Sequence, residues 1–79
     1  MLNLHGAIKA ITQFRVGFGI VELDEPYKGL KFASINTSTL GRFTLKRDRD
    51  GNLIPGTRVI VVEAEVGSEA LRITKIAKE

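Results

Sequence analysis

Apolar and polar residues alternate with a period of two along most of this chain, and no segment sustains the 3.6-residue period of a helix. Residues 57–66, Thr-Arg-Val-Ile-Val-Val-Glu-Ala-Glu-Val, form the clearest strand, being rich in β-branched side chains. Residues 70–76 alternate so as to direct Leu71, Ile73 and Ile76 to a core. Residues 4–14 read as one long strand bent near Gly6, and residues 16–23 as a second that pairs with it in a hairpin around Phe14-Arg15-Val16. Asp24-Glu25-Pro26-Tyr27-Lys28-Gly29 has loop chemistry, because proline lacks a donor and glycine admits positive φ. A short strand follows over 30–35, then a polar stretch over 36–41 with room for one helical or 3₁₀ turn, then an alternating segment over 42–46. Asp48 to Asn52, Pro55-Gly56 and Gly67 to Glu69 carry turn signals. Five or six short strands with turns every 8–12 residues predict an all-β barrel or sandwich, and closure into a barrel is favoured because it removes edge strands.

The segment Val16-Gly17-Phe18-Gly19-Ile20-Val21 departs from ordinary strand composition. Two glycines inside a strand cost stability and mark a bend or a close approach. Gly17 and Gly19 fall on one side of the strand, and Val16, Phe18 and Ile20 on the other. Phe18 therefore has two readings: an exposed platform on which a base can stack, or a core residue at a barrel corner.

The chain has 79 residues, enough for a single domain over 1–79. A domain of this size buries little more than ~60% of its unfolded surface, so its core must be economical. The apolar and charged fractions, 43% and 27%, are those of an ordinary globular domain. The chain contains no cysteine, which excludes disulfides and thiolate metal sites. The start Met1-Leu2-Asn3-Leu4-His5 has no basic region followed by a long apolar run, and no stretch approaches the ~20 apolar residues of a membrane span, so a cytoplasmic protein without a membrane partner is expected. The formal charge of +3 biases the chain mildly towards anionic partners. Arg42, Lys46, Arg47 and Arg49 form one basic group and Arg72, Lys75 and Lys78 another; the acids gather in Glu22-Leu23-Asp24-Glu25 and Glu63-Ala64-Glu65. The tip Lys46-Arg47-Asp48-Arg49 reads first as solvated, and on a barrel it also suits a phosphate backbone or an acidic protein partner.

Little in the chain points to catalysis. His5 is the sole histidine and has no second His or Cys with which to hold a transition metal. Asp48-x-Asp50-Gly51-Asn52 echoes a calcium loop, but Arg58 stands where the closing acid belongs, and a hairpin turn is the better reading. Ser34, Thr37, Ser38 and Thr39 have no general base nearby in sequence, and no glycine-rich phosphate cradle is present. The expectation is a non-enzymatic domain with no cofactor and no metal.

In order and rough spacing, Gly6-Ala7-Ile8-Lys9, Gly17-Phe18-Gly19-Ile20-Val21, Phe32-Ala33-Ser34-Ile35 and Gly56-Thr57-Arg58-Val59 resemble the cold-shock domain family. The resemblance spans nearly the whole chain and implies a small five- to six-stranded OB-like antiparallel barrel that binds single-stranded RNA or DNA. The family's first nucleic-acid motif, Lys-Gly-Phe-Gly-Phe-Ile, is met by Val16 to Val21, with Val16 in place of the base and Ile20 in place of the second aromatic. Its early tryptophan is Ala10, and in its second motif, set against Gly29 to Phe32, Gly29 and Lys31 replace an aromatic and a histidine. The resemblance thus implies weak, low-specificity binding through Lys9, Arg15, Phe18, Tyr27, Lys31 and Phe32. Apart from the resemblance, Phe14, Phe32 and Phe43 suit core or rim, and Tyr27 a surface cap beside Pro26. The alternative is a barrel of the same fold that serves as an interaction or assembly module, with an acidic protein partner or a second copy of the chain and no nucleic-acid ligand.

Overall fold

The computed structural model describes residues 2–9, 18–36, 48, 49 and 53–79, with the side chain of Phe18 excepted. Five strands make up the fold: β1 (Leu4–Ile8), β2 (Phe18–Tyr27), β3 (Leu30–Asn36), β4 (Arg58–Val66) and β5 (Leu71–Lys78). They close in the order β1-β2-β3-β5-β4, with β4 returning to β1. Every neighbouring pair is antiparallel except β3 and β5, which seal the barrel in parallel through Ala33↔Leu71 and Ser34↔Arg72. The fold is an all-β, five-stranded, OB-like barrel, and no helix occurs among the described residues.

Period-two alternation turns one side of each strand inward. Gly19, Val21 and Leu23 of β2 face the interior, with Ile8 from β1, Ala33 and Ile35 from β3, Val59 and Val61 from β4, and Leu71 and Ile73 from β5. All these apolar side chains are buried, and Leu53, from the segment before β4, joins them. The expected inward set of β5 is recovered: Leu71 and Ile73 are buried, and Ile76 packs partly buried against the cluster.

Two close approaches explain glycines in β1 and β2. A Cβ on Gly6 would lie 2.6 Å from the backbone oxygen of Glu22 and 2.8 Å from Val21 Cγ1. At Gly6, where the sequence suggests a bend, β1 lies too close to β2 for any side chain. A Cβ on Gly19 would lie 2.9 Å from Leu53 Cδ1 and 3.1 Å from Ile35 Cγ2. The bare face of β2 is therefore its inner face, and Leu53 fills the space.

One expected loop is a strand. Asp24 to Tyr27 continue β2, and Tyr27 pairs with Leu30 across a two-residue turn. Lys28 and Gly29 both take positive φ, 51° and 79°, as a type I′ hairpin turn requires. Pro26 is accommodated because the β2–β3 register shifts between Glu22 and Tyr27, so the ladder is interrupted there. The expected strand at 42–46, the helical turn at 36–41 beyond Asn36, the Phe14–Val16 hairpin, Phe14, Phe43 and most of the basic tip lie outside the described residues.

The contacts at Gly6 generate a prediction. Gly6→Ala sets a methyl against backbone that cannot rotate away, so it should destabilise the barrel by ~1–3 kcal/mol, the usual range for overpacking. A urea titration monitored by far-UV circular dichroism should show the midpoint falling with little change in slope; an unchanged midpoint would refute the close-approach account.

Candidate nucleic-acid interface

The inward set of β2 fixes its outer set by alternation. Ile20 and Glu22 face outward, and position 18 has the same parity. On β3 the outward positions opposite them are Asn36, Ser34 and Phe32, through the pairs Phe18↔Asn36, Ile20↔Ser34 and Glu22↔Phe32. The result is a two-stranded outer strip with a hydrophobic position at 20, a hydroxyl at 34 and an aromatic ring at 32. Phe32 is 38% exposed, one of two exposed large hydrophobic residues among those described; the other is Val66.

Cations border this strip on both sides. On one, Lys9 follows β1, and its backbone N–H donates to Ile20 O at 2.8 Å. Its side chain crosses β2, placing Nζ 3.5 Å from Glu22 Oε1 and 4.8 Å from the centroid of the Phe32 ring. On the other, Arg72 of β5 lies beside Ser34, strongly exposed and paired with Glu65 of β4. Ser34 Oγ itself donates to Leu71 O at 3.4 Å.

Of the residues expected to bind nucleic acid, the fold brings Lys9 and Phe32 into contact. Lys31 alternates with Phe32 and takes the other side of β3, where it is exposed. Tyr27 is half-buried and packs against the core at the β2–β3 hairpin, with Lys28 Nζ 5.5 Å from its ring centroid. Arg15 and the side chain of Phe18 lie outside the described residues. Sequence reasoning passed over Glu22 and Arg72 as members of this face. Glu22 shares the parity of Ile20, a signal available in the sequence. Arg72 reaches the strip only through the parallel β3–β5 seam, which no local pattern announces.

A second polar cluster covers β1. Ala7 is flanked by Glu22 on β2 and Arg58 on β4, and its small side chain leaves the way open for Arg58 to reach across β1. Arg58 Nη1 donates to Asp24 Oδ1 at 2.8 Å, and Nη2 pairs with Asp24 Oδ2 in a bidentate contact. Arg58 Nη2 also lies 3.3 Å from Glu79 Oε2, and His5 Nδ1 lies 2.9 Å from the same oxygen. His5 is thus an exposed strand residue held in an ionic network. The hydrogen bonds from Arg58 hold the Asp24 carboxyl below its ordinary range. The hydrogen bonds from His5 and then Arg58 do the same for Glu79. Arg58 is in turn held even more firmly in its charged form, chiefly by Asp24. An open concavity of about 280 Å³ beside the network is lined by Asn3, Leu4, His5, Asp24 and Glu25, with neither Lys9 nor Phe32 in its lining. No group of three or more His, Cys, Asp or Glu side chains able to hold a metal ion occurs among the described residues.

No protein-family model, curated protein or solved structure matches the chain.

The ionic network predicts an acid limb of stability. A carboxyl whose pKa is lower folded than unfolded contributes stability above its unfolded value, and loses it as pH falls through the folded one. For Asp24 and Glu79, with ordinary values of 3.8 and 4.5, that loss should begin as the pH drops below the mid-4 range and continue as both protonate. Urea titrations at neutral pH and near pH 3 should show a smaller pH-dependent loss in Asp24→Asn than in wild type. The difference should narrow in high salt, because the network is exposed. An identical loss in the two proteins would exclude Arg58–Asp24 as its source.

Proposed function

We propose that this protein binds single-stranded nucleic acid, weakly and with little sequence preference, on the outer face of β2 and β3. The observation that carries the reading is the half-exposed Phe32 ring on an OB-like barrel strip, with the Lys9 ammonium 4.8 Å from its centroid. A base can stack on such a ring whatever its identity, since every base has a π-face, and cations at the borders of the strip suit the phosphates on either side. Arg72 supplies the second border. The resemblance of the chain to cold-shock domains points the same way, and its missing aromatics argue for low affinity. The role is binding, with no catalysis and no cofactor, in a cytoplasmic setting.

Magnitudes support weak binding. One stacking platform contributes ~1–3 kcal/mol, where effective single-strand binders combine several. Two engaged cations give a salt slope near −1.4, from ~0.7 per phosphate on a single strand.

Fluorescence anisotropy with labelled oligo(dT) and oligo(U) at low ionic strength tests the reading. Wild type should bind in the micromolar range with that shallow slope. Phe32→Ala should weaken binding by roughly 5- to 150-fold, the equivalent of one lost stack. Its thermal midpoint should stay close to that of wild type, since Phe32 lies outside the buried core. Absence of binding at high micromolar protein would reject the proposal. If the chain then also sedimented as a dimer that Phe32→Ala dissociates, the same ring would be an assembly contact instead.

A further inference from the structure

The Lys9–Phe32 contact is not an open platform. Lys9 Nζ stands over the ring and is held 3.5 Å from Glu22 Oε1, and Glu22 is the direct cross-strand partner of Phe32. Three side chains from three successive segments thus form one unit: an aromatic ring, a cation laid across it and a carboxylate that pairs with the cation. All three are accessible, with Lys9 and Glu22 side chains 46% and 42% exposed, so no packing forces the arrangement. A ligand base and the Lys9 ammonium compete for the same ring, and a ligand phosphate and the Glu22 carboxylate compete for the same ammonium.

We propose that Glu22 is the residue that limits affinity on this face, its carboxylate occupying on Lys9 the place that a nucleic-acid phosphate takes in the complex. The proposal rests on the nucleic-acid reading of the β2–β3 strip. When a single strand docks, its base displaces Lys9 from the ring, and Lys9 exchanges Glu22 for a phosphate. Glu22, left behind on the strip, then faces the phosphate backbone as a like charge. Arg72 and Glu65 repeat the pairing on the far border, so both described border cations, Lys9 and Arg72, are already paired in the folded protein.

Anisotropy titration of labelled oligo(dT) at fixed low salt provides the test, with wild type, Glu22→Gln, Lys9→Met and the double variant. Glu63→Gln is a control that removes the same charge on β4, which neighbours neither β2 nor β3. Glu22→Gln should tighten binding about two- to five-fold, the span of an exposed ion pair. Glu63→Gln should change it less, and on the Lys9→Met background Glu22→Gln should lose most of its gain. A second readout is independent of affinity: in wild type the Lys9 side-chain methylene protons should be shifted upfield by the Phe32 ring, and oligo(dT) should move them back. Wild-type binding with Glu22→Gln equal to or weaker than wild type would overturn the role of Glu22 while leaving the nucleic-acid reading in place. Gains of equal size in Glu22→Gln and Glu63→Gln would also overturn it, leaving only a net-charge effect. Absence of oligo(dT) binding in every variant would remove both.

Discussion

The register of β2 is the constraint on which the rest of this barrel depends. Gly19, Val21 and Leu23 point inward, and all three are buried. A slip of one residue would bring Glu22 into an apolar interior and carry Val21 and Leu23 to the surface. The burial of a carboxylate and the loss of two core side chains would together cost more than a small domain has to spare. The same constraint sets the outer face, because positions 20 and 22 must face outward once 19, 21 and 23 face in. Core and candidate interface are therefore two consequences of one alternation.

Around that core, long basic side chains lie across the outside of the barrel and connect strands that do not touch. Lys9 reaches from the end of β1 over β2 to Phe32 on β3. Arg58 reaches from β4 over Ala7 of β1 to Asp24 on β2. Exposed ion pairs contribute ~0–1 kcal/mol each, so they do not rival the buried cluster as a source of stability. On the proposed nucleic-acid reading, their larger effect is on binding. Lys9 and Arg72, the two described cations at the borders of the β2–β3 strip, are both partnered within the chain, and on the proposed reading an anionic ligand must compete for them.

How much of this was legible in the sequence depended on whether the signal was local. The strands at 57–66 and 70–76 were legible because β-branched alternation is local, and both appear with nearly the expected bounds. Asp24 to Tyr27 misled because Asp, Glu and Pro together have loop composition. The decisive signal lay one step further on, where Lys28-Gly29 makes a two-residue turn that needs strand on both sides. Gly19 was readable as a close-approach site, but the partner that fills it, Leu53, is 34 positions away in the chain and could not be named. The meeting of Lys9 and Phe32 depends on the register of three strands, and that of Ser34 and Arg72 on the parallel seam; neither follows from any window of sequence. The outward side of Glu22 is legible from its parity with Ile20, whereas the acidic run Glu22-Leu23-Asp24-Glu25 by itself gives its charge and not its side.

An exposed aromatic ring on a barrel surface invites self-association, and the Lys9 side chain over it reduces the apolar area that Phe32 offers to water. A cation over a ring at an exposed site is worth ~0.5–1 kcal/mol, and a stacked base ~1–3 kcal/mol. Replacing the ammonium by a base on Phe32 is therefore favourable, but only by the difference. Replacing Glu22 by a phosphate as the partner of Lys9 exchanges one exposed ion pair for another and comes close to balance. The net gain is a fraction of what an uncapped ring and an unpaired lysine would provide. On this arithmetic, and on the proposed nucleic-acid reading, the Lys9–Glu22 pair partly covers the ring in the free protein and weakens its complexes, and both effects arise from the same two contacts.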